Sequence, residues 1–219
     1  MRFPYGLILL AFIQSPAAAQ SPAPVLAALQ RSFPAEHAAL SGQLRGHSAA
    51  AQSRLVSEAM HRFAVAHQAA IVAAPGGRLI GLEVRHGAML RALQRRDVAL
   101  CARLGDRGFF GRAARAAAPA PNLDDYAVAL IEAAAAGRGR PPPAAAERED
   151  YSAWMAAVGR REPDVPVQTL LLDREARARA SDDHLCAGAA AMHEAIGDLP
   201  PEQGARVAAT LIRSLITVE

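Results

Sequence analysis

The chain contains no lysine; all 24 of its basic residues are arginine. A high-GC genome accounts for this more simply than selection for guanidinium chemistry. Aromatic residues make up only 5% of the sequence, so the aromatic and β-branched runs that build strands are scarce. Hydrophobic residues reach 52% and alanine dominates them, which favours close-packed helices over sheets. Neither charge sign is in large excess. A formal net charge of +3 gives no reason to expect a nucleic-acid partner. No internal repeat is present, which excludes a solenoid. G-x-S-x-G, a P-loop and G-x-G-x-x-G are also missing, so the sequence identifies no catalytic residue and no cofactor. On this reading the chain is not expected to be an enzyme.

Long apolar runs are missing too. The longest near the N-terminus is Gly6 to Ile13, preceded by Met1-Arg2 and followed by small residues ending in Ala17 and Ala19. This is the pattern of a secretory signal peptide over 1–19, with cleavage expected after Ala19. The run rises only about 12 Å as a helix, against a hydrocarbon core of about 30 Å, so it does not suit an anchor. No cysteine follows the cleavage site to be lipidated. The expectation is an exported chain, periplasmic or secreted, with no transmembrane anchor after cleavage and residues 20–219 in a single helical domain.

What is present reads as an irregular all-α bundle of about seven or eight helices. The organising stretch is Leu79 to Leu104, where Leu82, His86, Met89, Leu93, Leu100 and Leu104 recur at spacings of three, four and seven. Pro75-Gly77 precedes it and Gly105 is its expected stop. Asp97 falls on the apolar side, so a break at Arg96 with Asp97 as a new N-cap is the alternative. Ser48 is expected to cap a long helix through Ala73 with a stripe of Val56, Met60, Phe63, His67 and Ile71. The short turn at Pro75-Gly77 then predicts that these two helices form a central antiparallel pair. Gly105 to Pro121 reads as a loop whose Phe109-Phe110 plugs the bundle. Further helices are expected over 123–136, 144–158, after Pro166, from Ser181 to Ile196, and after Pro200 with Val207, Leu211, Leu215 and Val218 on one side.

The two cysteines, Cys101 and Cys186, are expected to form a disulfide, because an exported chain meets an oxidising compartment. Two E-x-x-H pairs, Glu58/His61 and Glu83/His86, match half of a di-iron carboxylate motif. The expected hairpin register sets them about two turns apart, which argues against that site. The same register brings His67 level with His86, with Glu83 on the flank. Two histidines and a carboxylate can bind zinc or relay protons; the plainer alternative is a pair of hydrogen-bonded core histidines. Cys186 and His193 share a helix face beside Met192, a copper-like set that a disulfide at Cys186 removes. Two functional expectations follow. One is an interaction or scaffold protein of the bacterial-type cell envelope with a protein partner. The other is a metal-binding or small-ligand helical protein using His67, His86 and Glu83.

Overall fold

The computed structural model of the chain describes residues 22–107 and 123–216, and among these there are helices and no strand. The helices are α1 (Ala23–Ser32), α2 (Pro34–Leu44), α3 (Ala49–Ala66), α4 (Gln68–Val72), α5 (Gly76–Gln94) and α6 (Val98–Arg107). They continue with α7 (Leu123–Gly137), α8 (Arg148–Arg161), α9 (Val167–Leu172), α10 (Arg174–Arg179) and α11 (Asp182–Glu194). A 3-10 turn (Ala195–Asp198) then leads into α12 (Pro201–Leu215). The all-α bundle expected from composition is the fold. No described helix is long and apolar enough to cross a membrane. The signal-peptide stretch 1–19 and Phe109-Phe110 lie outside the described residues.

The helices are more numerous than expected mainly because three stretches divide. The organising stretch breaks after Gln94, and Asp97 restarts it by accepting a hydrogen bond from Leu100 N at 2.9 Å. A short polar side chain there satisfies one of the amides that a helix start leaves orphaned. Ser48 caps α3 through Ala51 N as its sequence position predicts. The helix it starts ends at Ala66, however, because His67 leaves helical geometry before α4 resumes. Asp173 separates α9 from the charged run, accepting from Glu175 N and Ala176 N to start α10.

Buried side chains form one continuous core with α5 at its centre. The principal partners of α5 are α11, α12, α7 and its own continuation α6. Helix α3 instead leans on α2, and α4 packs on α7. The expected central pair of 48–73 with 79–104 is therefore not formed. Its premise was one straight helix through Ala73, and the break at His67 redirects the chain.

Alanine and glycine build the faces that touch. Helix α11 buries Ala187, Gly188, Ala189, Ala190 and Ala191, while α12 buries Ala205, Ala208, Ala209 and Ile212. Of the predicted stripe of α12, Val207 is buried, Leu211 and Leu215 are half-buried, and Val218 lies outside the described residues. Gly105 is not a helix stop. It lies inside α6, where an added Cβ would sit 2.5 Å from Ala189 Cβ on α11. That close approach sets up the disulfide. Cys101 on α6 and Cys186 on α11 are bonded, with Cα atoms 5.3 Å apart at a sequence separation of 85. A second tie joins α8 to α12. The Asp150 carboxylate accepts from Arg206 Nε and Nη2, both at 2.7 Å, and from Glu147 N at 2.9 Å.

Reducing the disulfide, or Cys101→Ser, should cost about 2–5 kcal/mol and lower the melting temperature, because a long loop returns to the unfolded ensemble. Unchanged melting in reductant would contradict this organisation of α6 and α11. Arg206's hydrogen bonds, then the Glu147 amide, hold the Asp150 carboxyl below the usual carboxylate range. A depressed carboxylate contributes stability above its unfolded pKa and loses it as pH falls through the folded one. Denaturant melts from about pH 6 down to about pH 3 should therefore show the wild-type losing stability below about pH 4. Asp150→Asn should start less stable and lose less over that window.

Candidate metal centre

Glu83 and His86 lie one turn apart on the inner face of α5, where i and i+3 stack. His193 comes from the last turn of α11. What brings them together is the backbone of Gly87. An added Cβ there would stand 2.5 Å from Glu194 Cγ and 2.9 Å from the Ala190 carbonyl oxygen. Only a residue without a side chain lets α5 and α11 cross this closely. Glu83 is 0% exposed, His86 1% and His193 6%. His193 Nδ1 lies 2.6 Å from Glu83 Oε2, and the His86 and His193 rings stack at 4.0 Å between centroids with 27° between planes. The Tyr126 ring of α7 also lies against His86, with 5.2 Å between centroids and 43° between planes. One ligand atom from each of Glu83, His86 and His193 falls within 4.8 Å of the other two.

The electrostatics prepare these groups to act as donors. Burial, then the neighbouring His193, hold His86 well below the ordinary histidine pKa, so its imidazole is neutral and keeps a lone pair. Burial, then the charge of Glu83, push the Tyr126 phenol well above its ordinary value, so it stays protonated. With Glu83 ionised, His193 donates Nδ1–H to Oε2. The other carboxylate oxygen, Oε1, is buried and has no hydrogen-bond partner among the described residues. A buried carboxylate oxygen left so is costly. A cation held between Glu83 and the two imidazoles removes that cost. Two nitrogens and one carboxylate oxygen suit zinc and other first-row divalent ions. Such an ion would take the place of the Nδ1 proton between His193 and Glu83, which would move to Nε2 of the same ring, and the near-parallel rings would have to turn so that their lone pairs converge.

The outer side of the site is braced. Arg91 on α5 bonds Glu162 at 2.5 Å and Glu194 at 3.4 Å, while Arg161 reaches Glu194 at 3.6 Å and Asp198 at 2.6 Å. Trp154 Nε1 donates to the Met192 carbonyl at 2.8 Å. These contacts fix the end of α11 that carries His193.

Of the sequence-predicted set, Glu83 and His86 meet and His67 is elsewhere. His67 Nε2 pairs with Glu36 Oε1 at 2.9 Å, and its ring packs against Phe33 and Phe63. Burial pushes the Glu36 carboxyl up, but hydrogen bonds from His67 and its own backbone, with the charges of His67 and Arg138, outweigh burial and leave it lowered. The correction follows from the helix break: with α3 turned away from α5, no register makes His67 level with His86. Glu58 and His61 sit on α3 and take no part in the converging group. Cys186 is spent on the disulfide, which removes the Cys186, His193 and Met192 set. The third member that the sequence reading missed is His193. The signal was there in two parts: His193 shares a face with Cys186, and Cys186 was expected to bond the organising stretch.

Against protein-family models, curated proteins and solved structures, this chain matches none. Gly87→Ala should push α5 from α11, cost about 1–3 kcal/mol as an overpacked contact, and separate His193 from Glu83. Urea melts read the first effect and histidine NMR shifts the second. A variant as stable as wild-type with unchanged imidazole shifts would show that Gly87 does not set the site.

Proposed function

We propose that this is an exported, disulfide-stabilised helical protein that holds one divalent transition-metal ion of the zinc class on Glu83, His86 and His193. The observation that carries the reading is the convergence of these three buried side chains around a carboxylate whose second oxygen has no hydrogen-bond partner among the described residues. A buried carboxylate with one oxygen unsatisfied is a poor core residue, and a neutral buried imidazole beside it is a good ligand. Closure of the site in the core favours a structural ion that clamps α5 to α11 over one that turns over substrate. The signal-peptide pattern over 1–19 and the Cys101–Cys186 disulfide support a periplasmic or secreted setting.

A second reading, an interaction or scaffold protein of the bacterial-type cell envelope, has its own support. Leu172 is 79% exposed and Leu171 43%, and α8 with 165–169 borders a groove of about 1020 Å³ that Tyr151 and Met155 line. Large exposed apolar side chains beside a groove are a feature of partner-binding surfaces. If this reading holds, Leu172→Glu should abolish co-purification of a specific envelope protein and leave the metal content unchanged.

Elemental analysis of untagged, full-length protein tests the first reading. The expected result is about one zinc, or a competing first-row ion, per chain. Glu83→Gln and His193→Gln should each lose it while keeping a helical far-UV spectrum. Chelated protein that does not take up zinc at micromolar concentration would reduce the cluster to a buried His193–Glu83 pair.

A further inference from the structure

Two of the ties on α11 reach α5 and α6. Near its start Cys186 is bonded to Cys101 of α6, and in its last turn His193 meets Glu83 and His86 of α5. Both disulfide sulfurs lie against the Leu90 carbonyl oxygen, at 3.3 Å for Cys101 and 3.9 Å for Cys186. Leu90 is one turn beyond His86 on the same helix. Between these two ties run Ala187 to Ala191, small buried residues that by themselves offer little shape to fix the register of α11 on α5; the His193 end is held besides by Arg91 and Arg161 on Glu194 and by Trp154 on Met192, and the Cys186 end by the disulfide. Leucine-sized knobs would lock that register; methyl groups do so weakly. Tetrahedral zinc, by contrast, tolerates ligand displacements of only a few tenths of an ångström.

We infer that the disulfide sets the metal affinity, so that the chain is a redox-gated metal holder: oxidised, it retains zinc at Glu83, His86 and His193; reduced, it releases it. The inference rests on the metal reading above. The reduction balances with a small thiol as reductant. The Sγ–Sγ bond breaks, the two cysteine sulfurs each gain a proton, and two reductant thiols become one disulfide. No electron reaches the metal. Loss of the bond loosens the Cys186 end of α11, the ligand geometry at His193 departs by the few tenths of an ångström that zinc does not tolerate, and the ion is released. The expected loss is about tenfold or more in affinity, the size seen when an outer support of a metal ligand is removed.

The test uses the full chain, stripped with a chelator and titrated with zinc against a chromogenic competitor. It is run oxidised, after reduction by a phosphine, and as Cys101→Ser/Cys186→Ser. The expected result is stoichiometric binding by the oxidised protein, about tenfold weaker binding by the other two, and recovery when the reduced protein is reoxidised. Because linkage is reciprocal, zinc must also shift the thiol–disulfide equilibrium toward the disulfide by the same factor, about 30 mV for tenfold. That second readout is taken on the wild-type chain, so it stands even if the double variant unfolds. Equal affinity in both redox forms overturns the gating and leaves the metal site intact. No binding by the oxidised protein overturns both. A shift toward the thiols would mean that the cysteines themselves take the zinc, and it overturns the gating as well.

Discussion

The near-contact of α5 with α11 at Gly87 is the constraint on which the rest depends. Two helices lined with leucine pack with axes about 8–10 Å apart. Here a missing side chain at Gly87, with Gly105 doing the same between α6 and α11, lets backbone approach backbone. Three consequences follow at once. The disulfide between Cys101 and Cys186 becomes reachable, the alanine face of α11 is buried, and His193 arrives beside Glu83 and His86. Remove the close approach and each of them loses its geometry.

The buried face of α11 lacks large side chains such as those that α5 buries at Leu79, Leu82, Leu90 and Leu93. Alanine burial returns little per residue because little apolar area is removed from water. The chain adds ties in place of bulk. The disulfide joins α6 to α11, the Asp150–Arg206 fork joins α8 to α12, and the Arg91, Glu162, Glu194, Arg161 and Asp198 network joins α5, α8 and the end of α11. An ion on Glu83, His86 and His193 would be a further tie of the same kind. It would also neutralise the one buried carboxylate oxygen that lacks a hydrogen-bond partner among the described residues.

The helical class, the Ser48 and Asp97 caps and the disulfide were legible because each rests on local chemistry or on compartment. The tertiary pairing was less legible. A stripe of Val56, Met60, Phe63 and Ile71 reads as one straight helix, and nothing in those residue types marks the break at His67. On α12, moreover, hydrophobic periodicity picks out the large residues while the buried face is built as much from small ones. That helix turns Ala205, Ala208 and Ala209 inward with Val207 and Ile212 and leaves Leu211 half-buried, whereas the stripe of Leu82, His86, Met89 and Leu93 on α5 is buried as its spacing predicts. The candidate site suffered from the same blindness. Glu83 and His86 share a helix and could be found together; His193 lies on a distant helix and enters only through the disulfide that orients α11. Gly105 shows the ambiguity at its sharpest, since a glycine that ends a helix and one that lets another helix touch it look alike in sequence.

The central claim is that Glu83, His86 and His193 together hold an ion, and zinc-edge X-ray absorption of the oxidised, zinc-loaded protein addresses it most directly. The account predicts a low-coordinate first shell of nitrogen and oxygen at about 2.0–2.1 Å, with the outer-shell scattering of two imidazole rings and no sulfur. In His193→Gln one of the two imidazole contributions should disappear. A shell of oxygens alone, a sulfur at about 2.3 Å, or a spectrum untouched by the His193 substitution would contradict it.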